Sequence, residues 1–288
     1  MIRRLAAIVA ALAFIVAACN SSSAPTLTDP VSILQQSIAA TQNLHSFHAH
    51  ASLSGSIQAD LTGTGSTAPL DLSGTTADID ADLVNKAVHI SASIPALFGA
   101  TADIIVIGDD TYVKVPLLTG SKYQHSTASS MLDSFAPEAS AALPSAGPVD
   151  PKQIGDQLKS ALGKLSTPPK LGPDVQCGDT TCYDVTITLT SADIDALGGS
   201  LGGALGGGLS GSAAPGASAS PSAAASGSAA PMTATLEIQV RKSDLYPAKL
   251  VATVDAGAQG KLTGTIEFSA FNQPVTITAP PADQVQGS

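Results

Sequence analysis

The chain has 288 residues, a formal net charge of −10 and a 44% share of hydrophobic residues. Its acidic balance disfavours nucleic acid, because phosphates attract proteins rich in Lys and Arg, and anionic lipid headgroups repel it. Aromatic residues make up 3% of the chain and tryptophan is absent, so sugar-stacking platforms and aromatic cages are not expected. The length allows one domain or two.

The first 18 residues predict a secretory signal peptide. Arg3 and Arg4 precede an uncharged apolar run over residues 5–18, which is too short to span a bilayer comfortably and has the layout of a cleavable signal. The run leads into "VAAC", residues 16–19, which resembles the lipobox of bacterial lipoproteins. That resemblance implies cleavage before Cys19 and acylation of Cys19. An ordinary signal peptide followed by a chance cysteine is the alternative.

Residues 19–28 are predicted to be a lipidated tether. Acylation stabilises membrane binding by about 0.8 kcal/mol per buried methylene, and two or more chains anchor a protein stably. The polar sequence "NSSSAPTLT" follows Cys19 and has a reach of about 15–20 Å. We therefore expect anchoring at the extracytoplasmic face of the cell membrane. Removal of residues 1–18, which contain two Arg and no acidic residue, leaves a body with a net charge of −12.

Two further cysteines, Cys177 and Cys182, flank the sequence "GDTT". This sequence between two extended segments is typical of a hairpin turn, and a close cysteine pair outside the cytoplasm predicts a disulfide. Closing so short a loop stabilises a protein by about 2 kcal/mol. A redox pair and half of a zinc site are the alternatives. Redox motifs usually have two intervening residues, and a zinc site needs a second ligand pair.

The first element of the body is a predicted helix over residues 30–45. Asp29 and Pro30 form an N-cap followed by proline at the first helical position, and apolar residues then recur near helical spacing. From Phe47 the period changes to two, which predicts strands. The strand-like segments are "FHAHASLSGSIQADL", "DLSGTTADIDADL", "KAVHISASI" and the hairpin "ADIIVIGDDTYVKVP".

Residues 126–165 are predicted to be helical, with one helix broken at Pro137 and another that begins at Asp150 and Pro151. Strands resume in "CYDVTITLT", and "SADIDAL" predicts a short helix. The last predicted strands are "TATLEIQVRK", "PAKLVATVDA", "KLTGTIEFSAF" and "VTITAPP". Between them, residues 198–231 are rich in Gly, Ala, Ser and Pro, which predicts a disordered insert at the surface.

Strands, a helical block and further strands predict an α+β fold. We expect a strongly curved antiparallel sheet, a half-barrel of about nine or ten strands, because a sheet of this size tends to curl. Helices are expected to cover its concave apolar face. Few bulky aromatic side chains are available to fill the inside, so an apolar cavity is expected between the sheet and the helices.

The order of several weak motifs resembles a known family. The segments "GTIEFSAFNQPVTITAPPADQV", "VIGDDTYVKVPLLTGSKY" (ending in Tyr123) and "CYDVTITLTSADIDAL" are similar to the mycobacterial LppX/LprAFG family of envelope lipoproteins, which share the LolA-like fold. The similarity covers most of residues 29–285 outside the insert and implies one lipid-binding domain over that range. The insert and the disulfide depart from the typical member.

The resemblance implies a half-open barrel whose apolar cavity holds acylated lipids, such as phospholipids, glycolipids or triacylglycerols, and moves them through the cell envelope. An envelope transporter is a candidate partner; no cofactor and no metal are expected, and the protein is not expected to be an enzyme. The candidate cavity residues are Ile90, Ile94, Ile104, Val106, Val113, Val115, Leu132, Phe135, Leu158, Leu236, Ile238, Leu262 and Ile266. Plain core packing is the alternative for each of them.

Two glycine motifs suggest other chemistry. Residues 198–202 fit the G-x-S-x-G pattern of hydrolases, and residues 206–211 fit G-x-G-x-x-G. Both patterns lie in the Gly/Ala/Ser tract, without the strand and helix that a nucleophile elbow or a dinucleotide-binding loop requires. Composition alone accounts for both matches.

Alternating polar residues on two predicted strands suggest metal binding. His48 and His50 share one strand face, and Asp78, Asp80 and Asp82 alternate on the next strand. A zinc site needs three or four converging ligands, and a calcium site needs six or more oxygen ligands. Exposed strand faces are the simpler interpretation of both patterns.

Two classes of function follow from this sequence. In the first, the protein is a membrane-anchored carrier that buries acyl chains in its cavity. In the second, the same fold is filled by its own side chains and acts as an interaction or scaffolding module, whose acidic body and insert engage an envelope protein. The two differ in whether lipid copurifies with the chain.

Overall fold

The computed structural model describes residues 27–59, 67–127, 160, 162–194 and 232–286. Within these ranges the chain forms an antiparallel sheet of 13 strands. The strands are β1 Ser46–Ala59, β2 Ala68–Asp71, β3 Thr75–Asp82, β4 Ala87–Ile94, β5 Ala100–Ile107, β6 Asp110–Lys114, β7 Gln124–Thr127, β8 Lys170–Leu171, β9 Val175–Cys177, β10 Thr180–Thr190, β11 Thr233–Arg241, β12 Pro247–Asp255 and β13 Gly260–Ser269. The α-helices are α1 Pro30–Thr41 and α2 Pro116–Thr119, and 3₁₀ turns cover Pro95–Leu97, Gly257–Gln259 and Ala282–Gln284.

The strand order is β7-β6-β5-β4-β3-β1-β13-β12-β11-β10-β8, with β2 paired to β1 and β9 paired to β10. Most neighbours in the sheet are also neighbours in the chain, which is the meander pattern that short hairpins produce. The pairs β3–β1 and β10–β8 each skip one short strand, and the pair β1 and β13, which lies at the centre, joins the two halves of the chain. The sheet is open, because its path ends at β7 on one side and β8 on the other.

The register determines which side chains share a face. Ala49 on β1 lies opposite Phe268 on β13 and Ile79 on β3, and Ile79 lies opposite Ile90 on β4. Opposed residues of antiparallel strands point to the same side. Following these pairs from strand to strand gives one face, the apolar face: Phe47, Ala49, Ala51, Leu53, Ala77, Ile79, Ala81, Val88, Ile90, Ala92, Ile94, Ala102, Ile104, Val106, Val113, Tyr183, Val185, Ile187, Leu236, Ile238, Val240, Leu250, Ala252, Val254, Leu262, Gly264, Ile266 and Phe268.

The alternate positions form the opposite face, the polar face. Across the central strands it carries mainly Ser, Thr, Asp, His, Glu and Lys. His50, for example, lies between Asp78 on β3 and Glu267 on β13. This alternation is typical of an antiparallel sheet with one solvated side.

Helix α1 packs on one end of the apolar face. The helix begins after Asp29, whose carboxylate accepts the Ser32 backbone N–H at 2.8 Å as an N-cap. Its buried residues Ile33 and Leu34 join a core cluster with Leu162 and with the β10 and β11 side chains Tyr183, Val185, Ile187 and Val240. The main core of the described residues therefore lies at the β10–β11 end of the sheet.

The C-terminal segment packs on the other side of the sheet. Ile277 and Val285 contact Ile105 and Tyr123, with Ile107 and Tyr112 beside them. Ile105 and Ile107 belong to the polar face by parity, because Ile104 and Val106 belong to the apolar face. This packing explains why β5 contains the continuous apolar run "IIVI": both of its faces meet apolar neighbours.

The sequence prediction of a last strand in "VTITAPP" is wrong. Residues 275–281 form no strand, and the chain returns to the sheet only at the bridge between Val285 and Tyr123. Pro274 and the pair Pro280 and Pro281 bracket the segment. Proline has no N–H to donate to a strand ladder and is therefore confined to edges and loops.

The other predicted strands are present, and the sheet is larger than the nine or ten strands expected. The predicted helix over residues 30–45 ends at Thr41, and residues 191–194 are helical where "SADIDAL" predicts a helix. The covering of the apolar face by helices is not confirmed. The helical prediction over residues 126–165 is wrong at its start, because residues 126 and 127 belong to β7. The rest lies outside the described residues except for the C-terminal end, where Leu162 and Leu165 pack near α1.

Cys19, the signal segment and most of the tether also lie outside the described residues, as does the predicted insert. Described residues on either side of residues 195–231 are in contact, because the Ser191 hydroxyl donates to the Met232 carbonyl and accepts the Met232 backbone N–H. The described part of the chain contains no helix long and apolar enough to cross a bilayer. The structure joins Cys177 and Cys182 in a disulfide across the β9–β10 hairpin.

Two glycines permit the central pairing of β1 with β13. Gly55 and Gly260 have φ angles of +108° and +118°, a region that side chains disfavour. A Cβ atom at Gly55 would lie 2.1 Å from the Lys261 carbonyl oxygen, and one at Gly260 would lie 2.1 Å from the Ser56 carbonyl oxygen. Only glycine therefore allows the two strands to approach at this end.

We predict that Gly55→Ala and Gly260→Ala each lower the free energy of unfolding by at least about 1–3 kcal/mol, the cost of a strained backbone, in urea denaturation followed by circular dichroism. Gly264→Ala is the matched control on β13, since its φ is not positive and the nearest atom to an added Cβ is 3.8 Å away. Equal stability of all three variants would contradict the requirement for glycine at the two crossing points.

Candidate functional site

A cavity lies at the centre of the apolar face. Its volume is about 250 Å³, and it opens over the four central strands β3, β1, β13 and β12. The lining is almost entirely apolar and consists of Ala51, Ser52, Leu53, Thr75, Thr76, Ala77, Leu250, Ala252, Gly264, Thr265 and Ile266. For scale, an apolar cavity of about 150 Å³ stays dry and binds benzene.

Small side chains create this cavity. Ala51, Ala77, Ala252 and Gly264 occupy apolar-face positions on four adjacent strands, where a packed core would carry larger residues. An added Cβ at Gly264 would meet only the Leu53 side chain, at 3.8 Å. The centre of the sheet is therefore apolar and is not filled by side chains.

The centre of the apolar face is also only half-buried. The large buried apolar residues concentrate in the cluster around α1 and in the cluster around Tyr123, whereas the buried residues of the apolar face on β1 and β3 are the small Ala49 and Ala81. Between them, Leu53, Ile79, Ile90, Leu250 and Ile266 all remain partly accessible. A contiguous accessible apolar surface of this kind is typical of a binding site for an apolar ligand or partner.

One polar group points into these apolar surroundings. Thr75 lies opposite Leu53 in the register and so belongs to the apolar face. Its hydroxyl oxygen is buried and has no hydrogen-bond partner among the described residues. Leaving such a group unpaired costs about 1–3 kcal/mol.

The structure places the predicted cavity residues in three groups. Leu132, Phe135 and Leu158 lie outside the described residues. Leu236 and Ile238 are partly buried and pack against the cluster around α1, and their role in lipid binding stays a prediction. The remaining predicted residues are Ile90, Ile94, Ile104, Val106, Val113, Val115, Leu262 and Ile266.

Of this last group, Ile266 lines the cavity. Ile90, Ile94, Ile104, Val106 and Val113 extend the apolar face over β4, β5 and β6. Leu262 lies opposite Val254 on the far part of β13, and Val115 follows the end of β6. The role of these residues in lipid binding stays a prediction.

Sequence reasoning missed the small residues that form the cavity. Ala51, Ala77 and Gly264 alternate with polar residues, as the larger apolar residues do, and Ala252 follows Val251 and precedes Thr253. The alternating pattern places these positions on the inward face. A search for large apolar residues overlooks them, because their contribution is the space that small side chains leave unfilled.

The polar face carries four histidine–aspartate pairs. Nδ1 of His48 lies 2.9 Å from Asp80 Oδ1, and Nδ1 of His50 lies 2.7 Å from Asp78 Oδ1. Two further pairs, of His89 with Asp103 and of His125 with Asp110, are 3.2 and 2.8 Å apart. All are partly or largely exposed, and cross-strand pairs of this kind contribute about 0.2–1 kcal/mol each.

No group of three or more potential ligands among the described residues is arranged to hold a metal ion. The cross-strand contacts make the histidines and aspartates a paired and partly exposed strand face. On the same face, Glu267 accepts a hydrogen bond from Lys249 at 2.9 Å, which lowers the pKa of its carboxyl group.

Asp193 connects Ser166 to Thr190 at the end of β10 through hydrogen bonds. Its buried carboxylate accepts the backbone N–H and hydroxyl of Ser166 at 2.8 and 2.7 Å, and those of Thr190 at 2.8 and 2.7 Å. These hydrogen bonds, those from Ser166 first, hold the pKa of the Asp193 carboxyl far below its ordinary value. The contacts place residues 162–166 beside the core at the β10 end.

We predict that Asp193→Asn lowers the melting temperature at pH 7. A group whose folded-state pKa is depressed stabilises the fold above its ordinary value, here 3.8, and loses that effect as the pH falls further. The difference from the unaltered chain should therefore be largest above about pH 4 and narrow below it. Asp179→Asn, in the exposed β9–β10 turn, is the control. A difference independent of pH down to pH 2 would contradict this account.

We predict that Thr75→Val raises the free energy of unfolding by about 1–3 kcal/mol, because it removes an unpaired hydroxyl from an apolar site while keeping the side-chain shape. Urea denaturation of the purified chain measures the effect. Thr76→Val, on the opposite face, should change stability by less than about 0.5 kcal/mol. A loss of stability in Thr75→Val would show that the hydroxyl has a partner in solution.

The chain is similar to solved structures of known proteins. The chain is similar to the lipoprotein LppX of Mycobacterium tuberculosis, with 18% identity, a TM-score of 0.44 and coverage of 86% of this chain and 98% of that one. It is also similar to LprF of Mycobacterium bovis, with 20% identity, a TM-score of 0.43 and coverage of 87% and 96%. No protein-family model and no curated protein matches the chain.

Both names are those of the family that the sequence resembles. At 18–20% identity, the likeness says nothing about a ligand or a partner. The function is therefore argued from the geometry of the apolar face.

Proposed function

We propose that this protein is a membrane-anchored lipoprotein of the extracytoplasmic face, whose apolar face binds the acyl chains of lipids and carries them within the cell envelope. The observation that carries the proposal is the half-buried centre of the apolar face, with its cavity of about 250 Å³ over four strands. The single sheet supports one lipid-binding domain over residues 29–285. Phospholipids, glycolipids and triacylglycerols share the acyl chains that such a face would bind.

The binding energy would come from burial alone. Each methylene removed from water contributes about 0.8 kcal/mol, so roughly eight methylenes supply about 6 kcal/mol. Accessible side chains such as Ile90 and Ile79, on the strands beside the cavity, extend the surface available to a longer chain. No catalytic group or cofactor is needed for this function.

The anchor would be Cys19, acylated after removal of residues 1–18. Leu27 is the first described residue, and its backbone N–H donates to the Tyr183 hydroxyl at 3.0 Å. A flexible tether over residues 19–26 would therefore reach about 16 Å before the fold begins. The body would remain close to the membrane from which it takes or to which it delivers lipid.

The competing function is an interaction or scaffolding module without lipid cargo. In that case a protein segment would cover the centre of the apolar face. An envelope transporter is a candidate partner under either function. The carrier function predicts lipid in the cavity of the purified protein, whereas the interaction module predicts none.

The test compares a cavity-filling variant with a control of similar added bulk. Residues 20–288, which include every described residue, are purified without the anchor and examined by native mass spectrometry and lipid extraction. Gly264→Val and Ala252→Leu add hydrocarbon inside the cavity, whereas Ser54→Val adds it on the polar face of β1. We expect acylated lipid to copurify with the unaltered chain and with Ser54→Val.

Lipid content should fall at least tenfold in the Gly264→Val/Ala252→Leu double variant, because filling the cavity removes more than about 1.4 kcal/mol of binding energy. Circular dichroism confirms that the variants are folded. An unaltered chain free of lipid even after incubation with envelope lipids would overturn the proposal and favour the interaction module. Equal lipid content in all variants would place the lipid elsewhere on the chain.

A further inference from the structure

Three large apolar side chains are exposed at one end of the sheet. Phe98 is 99% exposed, Leu117 is 64% exposed and Leu97 is 42% exposed. We call these three residues the apolar tip. Burying a side chain of this size is worth about 1.5–3 kcal/mol, so the three residues are candidates for a contact surface. Leu83 and Val84, 43% and 66% exposed, form a second exposed apolar pair at the opposite strand end.

The topology places the three residues together. Leu97 and Phe98 lie in the turn between β4 and β5, and Leu117 lies in α2 directly after β6. Strands β5 and β6 are paired with Asp103 opposite Lys114, which brings the start of β5 beside the end of β6. Helix α2 and the 3₁₀ turn both contact β5.

The backbone of the turn presents Phe98 outward. Phe98 has a φ angle of +57° in the left-handed region, which is uncommon for a residue other than Gly, Asn or Asp. The turn is closed by the Gly99 backbone N–H, which donates to the Pro95 carbonyl at 3.1 Å. A strained position that holds a phenylalanine in solvent is consistent with function at that position.

The tip differs in charge from the rest of the protein. Residues 93–102 contain no charged residue, and residues 115–123 contain only Lys122, which is exposed. The opposite end of the same strands has Asp82, Asp109 and Asp110 at its two hairpin turns. The two tip segments therefore contain no acidic residue of their own. Asp71 lies near them, because it accepts the Ser73 backbone N–H and a Cβ at the next residue, Gly74, would lie 3.6 Å from the Pro95 side chain. Repulsion from anionic lipid headgroups is weaker at these segments than at the opposite strand end, which has three aspartates.

The tip is also continuous with the apolar face. Ile94, the last residue of β4, lies opposite Ala100 on that face, and the turn that carries Leu97 and Phe98 begins at the next residue. Thr76 on β3 pairs with Ser93 on β4. One residue further along both strands, Thr75, which lines the cavity, therefore lies beside Ile94. Apolar surface therefore runs from the cavity to the tip.

From these observations we infer that the apolar tip inserts into the interface of a lipid bilayer. A bilayer is favoured over a protein groove because the side chains lie in two separate segments, neither of which contains an acidic residue, and the exposed Lys122 follows Leu117 by five residues in the chain. Apolar side chains next to cations are typical of interfacial insertion.

The contact would orient the body on the membrane. The tether joins the fold at Tyr183 near the start of β10, whereas the tip lies at the opposite strand end on β4 and β5. Strands β4 and β10 are six places apart in the sheet, or about 29 Å at the usual spacing of about 4.8 Å. Two attachments this far apart would fix an orientation that a tether alone leaves free.

The absence of tryptophan from the chain allows a direct test. The full chain carrying Phe98→Trp is reconstituted in phosphatidylcholine/phosphatidylglycerol vesicles, with and without bromine on the acyl chains. The control is Val84→Trp, which lies in the β3–β4 turn at the opposite strand end and is 66% exposed in the unaltered chain. Both sites are exposed turn positions, so neither substitution disturbs the core.

We expect the tryptophan emission of the Phe98→Trp chain to shift to shorter wavelength and to be quenched by brominated lipid, whereas the emission of the Val84→Trp chain stays unchanged. Adding Leu117→Ser to Phe98→Trp should reduce the quenching. Equal quenching in the two single variants, or none in Phe98→Trp, would overturn the inference. A blue shift without quenching that grows with protein concentration would also overturn it and would assign the tip to a second copy of the chain. None of these results depends on lipid in the cavity, so this inference and the proposed function fail separately.

Discussion

The pairing of β1 with β13 is the interaction on which the rest of the structure depends. It joins the first and last long strands of the described chain, from His48 opposite Ser269 to Ile57 opposite Gly260. Every other strand pairs outward from this centre as part of a hairpin or meander. Because side chains alternate with a period of two, a slip of one residue here would exchange the two faces. Gly55 and Gly260 make the central approach sterically possible.

This central pair also explains where the binding surface lies. The side chains that meet across β3, β1, β13 and β12 are mostly alanine, glycine and leucine, so the middle of the sheet is apolar but not filled. Larger residues and helix α1 gather at the β10 end, where Asp193 and its four hydrogen bonds hold the neighbouring segment. The packed core therefore lies at one end of the sheet, whereas the unfilled apolar surface that a ligand could contact lies at its centre.

Much of this fold follows from local sequence patterns. The alternation in "KAVHISASI" or "TATLEIQVRK" predicts strands that the structure confirms, since period-two patterning requires only one buried face. The "VTITAPP" segment has the same local pattern and is not a strand, because prolines bracket it and an apolar patch around Ile105 and Tyr123 holds its end instead. That outcome depends on contacts distant in the chain, which a local pattern does not contain.

The candidate site was harder to predict than the fold. Periodicity identifies Ile266 and its neighbours as inward-facing, but it does not reveal that Gly264, Ala252 and Ala77 meet across the central strands. The sequence likewise does not predict the exposure of Phe98, since "SIPALFGATA" has the composition of a buried turn. For the cavity, the missing information is the register of β1 against β13, which are far apart in the chain.

The central claim is that acyl chains occupy the centre of the apolar face. The most direct measurement is photocrosslinking of the full chain to a phospholipid that carries a diazirine in its acyl chain, followed by peptide mass spectrometry. The account predicts adducts on Ala51, Leu53, Ala77 and Ala252, and on alternate rather than successive residues of these strands. Adducts confined to the polar face, or to the turns at the ends of the sheet, would contradict it.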